Sequence, residues 1–303
     1  MRKILIPLLG LLIFSNLSLA AEEVDISSYT IGIEGSGTFM FGSITAVGFY
    51  PWLEFTDSSD PQESDSARRF GLNSYIDYGR YHSFDWGMGM AKFTPDSGVT
   101  EQESRQQEFL FIYTNKHFRI ASLKCGVHNI SAYNSGGLDV NTGMLAGGFK
   151  RSGPLNLELS YYFSSYDTPS ISAHQLTPCL GFSFNNNRLY SKSSFNYILL
   201  SDNQFFEDKE FLSLQQDLDF YYKKLTLSCS LFMGDSALAV LGNGYSVIND
   251  LSVYGPGYGL GAAFSFNKNV LIRFQYHRRK YRDVEFDERV ISTNAYTGLV
   301  LSD

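Results

Sequence analysis

The chain has 303 residues, of which 18% are charged and 16% are aromatic, and its formal net charge is −7. It is poorer in charged residues than ordinary soluble domains. The negative charge argues against nucleic acid as a partner, because duplex-binding proteins present a basic face. Beyond the amino terminus no apolar run approaches the roughly 20 residues of a membrane helix, so a helical membrane protein is excluded.

The amino terminus has the pattern of an export signal. Arg2 and Lys3 precede a short apolar core over Ile4–Phe14, and Ser18-Leu19-Ala20 supplies small residues before Ala21. Residues 1–20 are therefore expected to be a signal peptide that is removed on export. A retained membrane anchor is the alternative, for which the apolar core is short.

Two kinds of turn alternate along the rest of the chain. Short polar turns occur at Asp77–Arg80, Asn115-Lys116, Arg151–Pro154, Asn185–Asn187, Lys223-Lys224 and Asn267–Asn269. Longer polar loops lie between them, at Asp57–Asp65, Pro95–Ser104, Ser131–Gly137, Asp167–Ser170, Asp202–Glu210, Asp235–Asp250 and Asp283–Glu288. The alternation predicts a sheet with one rim of short turns and one rim of long loops.

The segments between these turns alternate as β-strands do. In Leu155–Tyr166, apolar residues such as Leu157 and Leu159 oppose polar ones such as Glu158 and Ser160. A strand of about twelve residues, tilted near 40°, rises roughly 30 Å, which matches the apolar band of a membrane and exceeds ordinary globular strands. The predicted strands are Thr38–Phe55, Ala67–Tyr78, Ser83–Thr94, Arg105–Tyr113, Phe118–Ile130, Leu138–Lys150, Leu155–Tyr166, Ala173–Phe184, Leu189–Leu200, Phe211–Tyr222, Leu225–Gly234, Ser252–Phe266, Val270–Tyr281 and Arg289–Leu301.

The polar face of these strands carries charges in mid-strand, for example at Asp217 and Asp219. A packed core would have to neutralise each of them, whereas a water-filled lumen solvates them. Aromatic residues also cluster near strand ends, as in the interfacial girdles of membrane barrels. The sequence therefore predicts an all-β fold, a transmembrane antiparallel up-and-down β-barrel of about fourteen strands with its apolar face outward. Twelve and sixteen strands are the alternatives.

This pattern resembles the bacterial outer-membrane β-barrel proteins, and among them most the monomeric fourteen-stranded porins. The resemblance covers nearly all of the chain after residue 20, rests on architecture and includes no diagnostic motif. It implies a barrel over residues 38–303 in the outer membrane, with outer-membrane lipids, lipopolysaccharide and the barrel assembly machinery as partners. Residues 21–37 are expected to be periplasmic, luminal or an extra strand.

The chain departs from that family at one end. Family members usually finish on an aromatic residue, whereas this chain finishes Gly298–Asp303, with Tyr296 as the nearest ring. The long-chain fatty-acid transporters share the strand number but carry a larger amino-terminal hatch than Ala21–Gly37 could form. A hydrophobic-solute transporter is thus an alternative to a porin.

The basic run His277–Arg282 is the strongest charge feature. Alternation predicts that Arg278, Lys280 and Arg282 point toward lipid headgroups, whose phosphates such side chains match. The intervening residues are expected to face the lumen and, with an acidic wall, to set its selectivity. The predicted pore-lining residues are Glu158, Asp217, Asp219, Arg273, His277 and Arg279. A solvated rim without a role in selectivity is the alternative.

No catalytic arrangement emerges from the sequence. His128 and Ser131 lie near a loop, but their spacing places them on opposite faces of a strand. The three cysteines, Cys125, Cys179 and Cys229, are far apart and are expected to be apolar fillers rather than a disulfide framework or metal site. Neither a metal nor a cofactor is expected, and the chain is not expected to be an enzyme.

The leading functional prediction is a channel for passive passage of small hydrophilic solutes, limited by size, lumen charge and loop occlusion. A non-conducting surface or structural protein with a plugged barrel is the main alternative. A membrane-embedded hydrolase that depends on His128 is a third hypothesis.

Overall fold

A computed structural model of the protein describes the backbone of residues 29–37, 44–58, 66–78, 81–94, 104–117, 121–133, 138–150, 154–167, 170–185, 188–202, 205–241, 244, 246–248, 251–267, 270–284 and 288–302. Over residues 29–37, 44–58 and most of 288–302 only the backbone is described. The predicted signal peptide, residues 1–20, lies outside the described residues.

The described chain is built of long strands. The strands of the wall are β1 (Tyr29–Gly37), β2 (Ile44–Ser58), β3 (Ser66–Tyr78), β4 (His82–Thr94), β5 (Ser104–Asn115), β6 (Ala121–Tyr133), β7 (Val140–Lys150), β8 (Leu155–Tyr166), β9 (Ile171–Phe184), β10 (Leu189–Leu200), β11 (Glu210–Tyr222), β12 (Leu225–Gly234), β16 (Ser252–Asn267), β17 (Val270–Asp283) and β18 (Glu288–Ser302). Three two-residue strands lie in the longest loop, β13 (Ser236–Ala237), β14 (Val240–Leu241) and β15 (Ser246–Val247).

The wall is an antiparallel sheet that closes on itself. From β2 to β12 each strand pairs with the next along the chain, and β12 then pairs with β16. The strands β16, β17 and β18 continue in order, and β18 returns to β2 through Ser292–Asn294. This closure confirms the predicted all-β, up-and-down barrel of about fourteen strands.

The strand β1 lies in the seam of this barrel. It runs parallel to β18 over Tyr29–Ser36 and pairs antiparallel with β2 through Gly35–Gly37. Part of the predicted amino-terminal segment 21–37 therefore belongs to the wall. The adjacent strand β2 spans Ile44–Ser58 instead of the predicted Thr38–Phe55, of which 38–43 lie outside the described residues. The strand continues beyond Phe55 because Thr56 and Asp57 still pair with residues of β3.

Strand β8 shows which way the two faces point. Its apolar residues lie on the outside, with Leu157 and Leu159 exposed to 43% and 51%. Ser160 and Ser164 alternate with them and are buried inside the barrel. An apolar face that points away from the enclosed space is the arrangement of a barrel in lipid and the reverse of a soluble sandwich.

Candidate functional site

The longest loop joins β12 to β16, and its described residues 235–241, 244 and 246–248, called the luminal loop below, fold into the barrel. Its apolar stretch contains Ala237, Leu238, Ala239 and Val240, each at most 3% exposed. Leu238 adopts a φ of 50°, a left-handed backbone that side chains other than glycine seldom take. Exposing this apolar run to water at the rim would be unfavourable, so the hydrophobic effect drives its insertion into the lumen.

Two side chains of the wall bind the backbone of the luminal loop. The hydroxyl group of Tyr166 donates to the carbonyl oxygens of Leu238 at 3.2 Å and Ile248 at 3.0 Å. The side-chain amide of Gln175 donates to the carbonyl of Val240 at 2.8 Å and accepts from its N–H at 2.7 Å. Gln175 thereby replaces the peptide group of a neighbouring strand, and these backbone groups are paired despite their burial.

The far end of the luminal loop reaches the opposite side of the barrel. The carbonyl oxygen of Gly244 lies 3.1 Å from Nδ1 of His128, which is on β6, six strands from β12 around the wall. Gly244 has a φ of 96°, and a side chain there would collide with Met144. Since about fourteen strands close the wall, a loop that joins β12 to β6 crosses the lumen.

Around the luminal loop the barrel interior is a dry hydrophobic core. The buried residues of this core are Leu110, Ile112, Ile130, Leu138, Val140, Met144, Tyr162, Tyr166, Ile171, Ala173, Ile198, Leu200, Phe206, Phe211, Ala237, Leu238, Ala239, Val240 and Val247. Most come from inward positions of β5–β11. Phe206 comes from loop 201–209, which covers the core at the long-loop rim. Between β5 and β11 the lumen under the long loops is filled with side chains.

A buried hydrogen-bond network lies deeper in the barrel. Thr177 donates to the Oδ1 atom of Asn196 at 3.0 Å, and the amide of Asn196 donates to Ser213 at 3.2 Å. Gln175 also donates to Thr177 at 3.0 Å, so the network continues into the contact with the luminal loop. These satisfied polar groups fix the loop in one position, because moving it would leave several of them unpaired.

Toward the short-turn rim the inner wall becomes polar and charged. Lys124 and Glu158 form an ion pair of 3.2 Å with both side chains partly exposed. Asp217 accepts from Ser230 at 2.7 Å, and Asp219 accepts from Ser228 at 2.7 Å. A partly exposed set of charges is stable only where water reaches it. The lumen therefore changes from a dry core under the long loops to a hydrophilic space near the short turns.

The inward positions of β4 and β16 carry small residues. The small inward residues of β4 and β16 are Gly87, Gly89, Ala91, Gly257, Gly259 and Gly261. Glu108 of β5 lies across Gly89, and His277 of β17 lies across Gly259, so that a Cβ atom at either glycine would collide with these side chains. The small inward residues of β4 and β16 are therefore covered by the longer side chains of the neighbouring strands.

The structure places the predicted pore-lining residues at different heights in the lumen. Glu158, Asp217 and Asp219 lie on the inner face in the polar half of the lumen, as described above. His277 occupies an inward position opposite Gly259. The backbone of Arg273 pairs with Ala263, but its side chain lies outside the described residues. Because Arg279 lies toward the long-loop end of β17, the structure does not bring it to Asp217 or Asp219 near the short turns.

Arg279 points inward and holds the base of the luminal loop. Its Nε atom donates to the carbonyl of Gly255 at 3.0 Å, and its Nη2 atom donates to Ser236 of the loop at 2.7 Å. The guanidinium group also lies 5.1 Å from the ring centroid of Phe232 and 5.3 Å from that of Tyr254. Cation–π contacts and hydrogen bonds hold this guanidinium at the point where the chain enters the lumen.

The three residues predicted to meet lipid headgroups lie at the long-loop end of β17. Arg278 and Lys280 are exposed on the outer face. Arg282 forms an ion pair with Glu207 of loop 201–209, with Nη1 and Oε1 3.1 Å apart. The hydrogen bond and charge of Arg282 hold the pKa of Glu207 below its ordinary value. Arg282 thus ties the covering loop to the rim.

His128 is buried inside the barrel, and Ser131 lies on the opposite face of β6. His128 has its Nε2 atom 3.5 Å from Oε2 of Glu108. Among the described residues no group of three His, Cys, Asp or Glu side chains is arranged to hold a metal ion. Over the same part of the chain no helix has the length and hydrophobicity to cross a membrane.

Apolar side chains dominate the outer face of the strands whose side chains are described. Large exposed side chains occur on every wall strand whose side chains are described, among them Phe70, Met88, Phe109, Val127, Leu145, Leu159, Leu180, Phe195, Leu212, Leu231, Leu260 and Phe274. A closed sheet with an apolar exterior and a partly polar interior satisfies its backbone in hydrocarbon. The chain has the architecture of an outer-membrane β-barrel.

The chain matches no protein-family model and no curated protein sequence. Among solved structures it is similar to CdiB from Escherichia coli, with a TM-score of 0.45, 13% identity, and coverage of 88% of this chain and 62% of that chain. It is also similar to CdiB from Acinetobacter baumannii, with a TM-score of 0.43, 10% identity, and coverage of 88% of this chain and 59% of that chain. The chain thus spans less than two thirds of the length of these CdiB chains. For a variant of the Rhodopseudomonas blastica porin the TM-score is 0.33 and the identity 8%, with coverage of 82% of this chain and 98% of that chain.

The residues that position the luminal loop were not identified from the sequence. Gln175 and Tyr166 lie on the polar faces of their strands and belong to no motif. A usable signal exists in the loop itself, where the run Ala237–Leu241 is too apolar for a solvated loop. Such a run inside the longest loop indicates insertion into an interior.

Proposed function

We propose that the protein is a bacterial outer-membrane channel for small hydrophilic solutes, whose passage runs beside the luminal loop. The observation that carries this proposal is the change from an apolar core under the long loops to partly exposed charges near the short turns. The dry core is formed by the loop with β5–β11, whereas β4 and β16 present glycine and alanine to the interior, where we place the passage. The polar half near the short turns forms a solvated vestibule.

The charges around this passage are suited to screening solutes. Glu108 of β5 is 29% exposed beside His128, and His277 projects inward from β17. Glu158, Asp217, Asp219 and Arg273 remain our proposed pore-lining residues in the vestibule. Arg279 is proposed to act through the position of the luminal loop. A narrow passage lined by fixed charges selects solutes by size and charge.

The proposed setting is the outer membrane, reached by export with the signal peptide. The apolar exterior would lie in hydrocarbon, and Arg278 and Lys280 at the long-loop end would meet the phosphates of lipopolysaccharide. This orientation places the long loops outside the cell and the short turns in the periplasm, as in other bacterial barrels.

Planar-bilayer recording of the refolded chain tests the channel. We expect small, discrete conductance steps in the wild type and larger steps when residues 237–248 are replaced by a short Gly-Ser linker. A matched control is Leu159→Ala on the outer face, which leaves the lumen unchanged. A refolded, heat-modifiable barrel that stays silent in both forms contradicts a channel.

A plugged barrel is the second candidate, because the core around Leu238 and Val240 excludes water. In that case the wild type is silent and the linker variant conducts. Proteins of this kind would present the covering loops, including loop 201–209, to a partner. The same recordings therefore distinguish the two functions.

A further inference from the structure

Three polar residues form a cluster on the outer face of β10 and β11. Ser193 donates to Oε1 of Gln216 at 2.5 Å, and Nε2 of Gln216 donates to Ser191 at 3.0 Å. The same Nε2 atom lies 3.1 Å and 3.2 Å from the carbonyl oxygens of Lys192 and Asp217. Ser191, Ser193 and Gln216 are called the Gln216 patch. It lies on the face that the barrel otherwise gives to apolar side chains.

The Gln216 patch lies at mid-height in the wall. Gln216 is the central residue of the 13-residue strand β11. Given the membrane placement proposed above, this is the middle of the hydrocarbon layer, far from lipid headgroups. The cross-strand neighbours are apolar, with Leu180 opposite Ser193 and Leu231 opposite Gln216. Polar side chains at this depth are costly and commonly mark a contact with protein.

The patch is also a depression in the outer surface. Ser191 and Ser193 are small and half-buried, whereas Leu180, Leu218 and Leu231 around them are 40–48% exposed. Leu218 pairs directly with Ser191 across the two strands. A projecting leucine therefore stands beside a notch formed by two serines.

We propose that the Gln216 patch is the contact between two copies of this barrel in the membrane. In a two-fold interface each surface meets its own copy, so that a knob must lie beside the hole that receives the partner's knob. Leu218 and the serine notch meet this requirement. Small residues permit close approach of two membrane-embedded surfaces, and hydrogen bonds between them add to the attraction.

The hydrogen-bonding groups of the patch are self-complementary. Within the described residues, Oε1 of Gln216 accepts one hydrogen bond, and an amide oxygen can accept two. The hydroxyl groups of Ser191 and Ser193 can each donate and accept. Two copies of the patch can thus exchange hydrogen bonds with one another, while a lipid chain can exchange none.

Cysteine cross-linking in lipid vesicles tests this contact. In a background with Cys125→Ala and Cys229→Ala, Ser193→Cys is expected to give a covalent dimer on mild oxidation of vesicles containing the purified protein. Leu159→Cys, an exposed position on β8, is the matched control and is expected to remain monomeric. Equal cross-linking at both positions overturns the proposal, because it indicates random collision.

Gln216→Leu supplies an independent readout. It is expected to weaken dimerisation at least about tenfold, measured by energy transfer between labelled copies. It should leave heat-modifiability and single-channel conductance unchanged, because leucine suits the outer face and Gln216 does not line the lumen. Unchanged dimerisation overturns the proposal, and so does a Ser193→Cys variant that is monomeric when pure and links only to another protein in native membranes. Loss of conductance would instead bear on the proposed function.

Discussion

Gln175 pairs with Val240 as one strand pairs with another, through hydrogen bonds of 2.8 Å and 2.7 Å to both backbone groups. The two residues are 65 positions apart in the chain and are both buried. A single wall side chain therefore supplies the ladder partner of a loop inside the barrel. This contact explains how the short hairpin of β14 and β15 is held against the wall inside the lumen.

Gln175→Ala should release the luminal loop. The change leaves the N–H and C=O groups of Val240 unpaired in a buried site, which costs about 2–4 kcal/mol. We expect larger and noisier conductance and faster proteolysis within the loop, with the barrel itself still heat-modifiable. Gln107→Ala, an exposed position near the rim of β5, is the control. Identical recordings for wild type and Gln175→Ala would refute the assigned role.

Leu238→Ala should weaken the dry core without adding a charge. The side chain is 1% exposed, so its truncation leaves a cavity and costs about 2–5 kcal/mol. The expected readout is faster hydrogen exchange at Ala237–Val240 with little change in the exchange of β8. Leu212→Ala, exposed on the outer face, should have no such effect. Protection that is unchanged at the loop would show that Leu238 does not hold it.

Glu108→Gln should reduce the preference of the channel for cations. The substitution keeps the shape of this inward-facing side chain and removes its negative charge. A fall of about twofold in the cation-to-anion permeability ratio is expected from reversal potentials in a salt gradient. Glu207→Gln, which removes a charge at the rim, is the comparison. An equal effect of both would place selectivity in the surface charge of the mouth.

The ion pair between Arg282 and Glu207 should weaken in acid. The pKa of Glu207 is lowered in the folded protein, so the pair stabilises the fold above the ordinary carboxyl pKa of 4.5 and is lost as the pH falls through the lowered value. An NMR titration of the Glu207 carboxyl carbon should give a pKa below 4.5. Arg282→Gln should return it to the ordinary value. The control variant Arg278→Gln should leave the titration unchanged.

Residue alternation was enough to predict the wall. The bounds of the strands Leu155–Tyr166, Leu189–Leu200 and Leu225–Gly234 are the same in prediction and structure. Side chains in a strand point alternately to two faces, so an apolar period of two defines the outer surface before any contact is known. The inward placement of Glu158 and Asp217 follows from the same period.

Tertiary structure alone decided what fills the lumen. The inward faces of β8 and β9 carry Tyr166 and Gln175, which by sequence are simply polar-face residues, and their role exists only once the loop from β12 lies against them. Likewise, Arg279 could be assigned to the inner face by alternation, but its partner Ser236 comes from the loop. Local patterns specify faces because they repeat within one strand. Contacts between a loop and a distant wall depend on closure of the whole barrel, which no local pattern encodes.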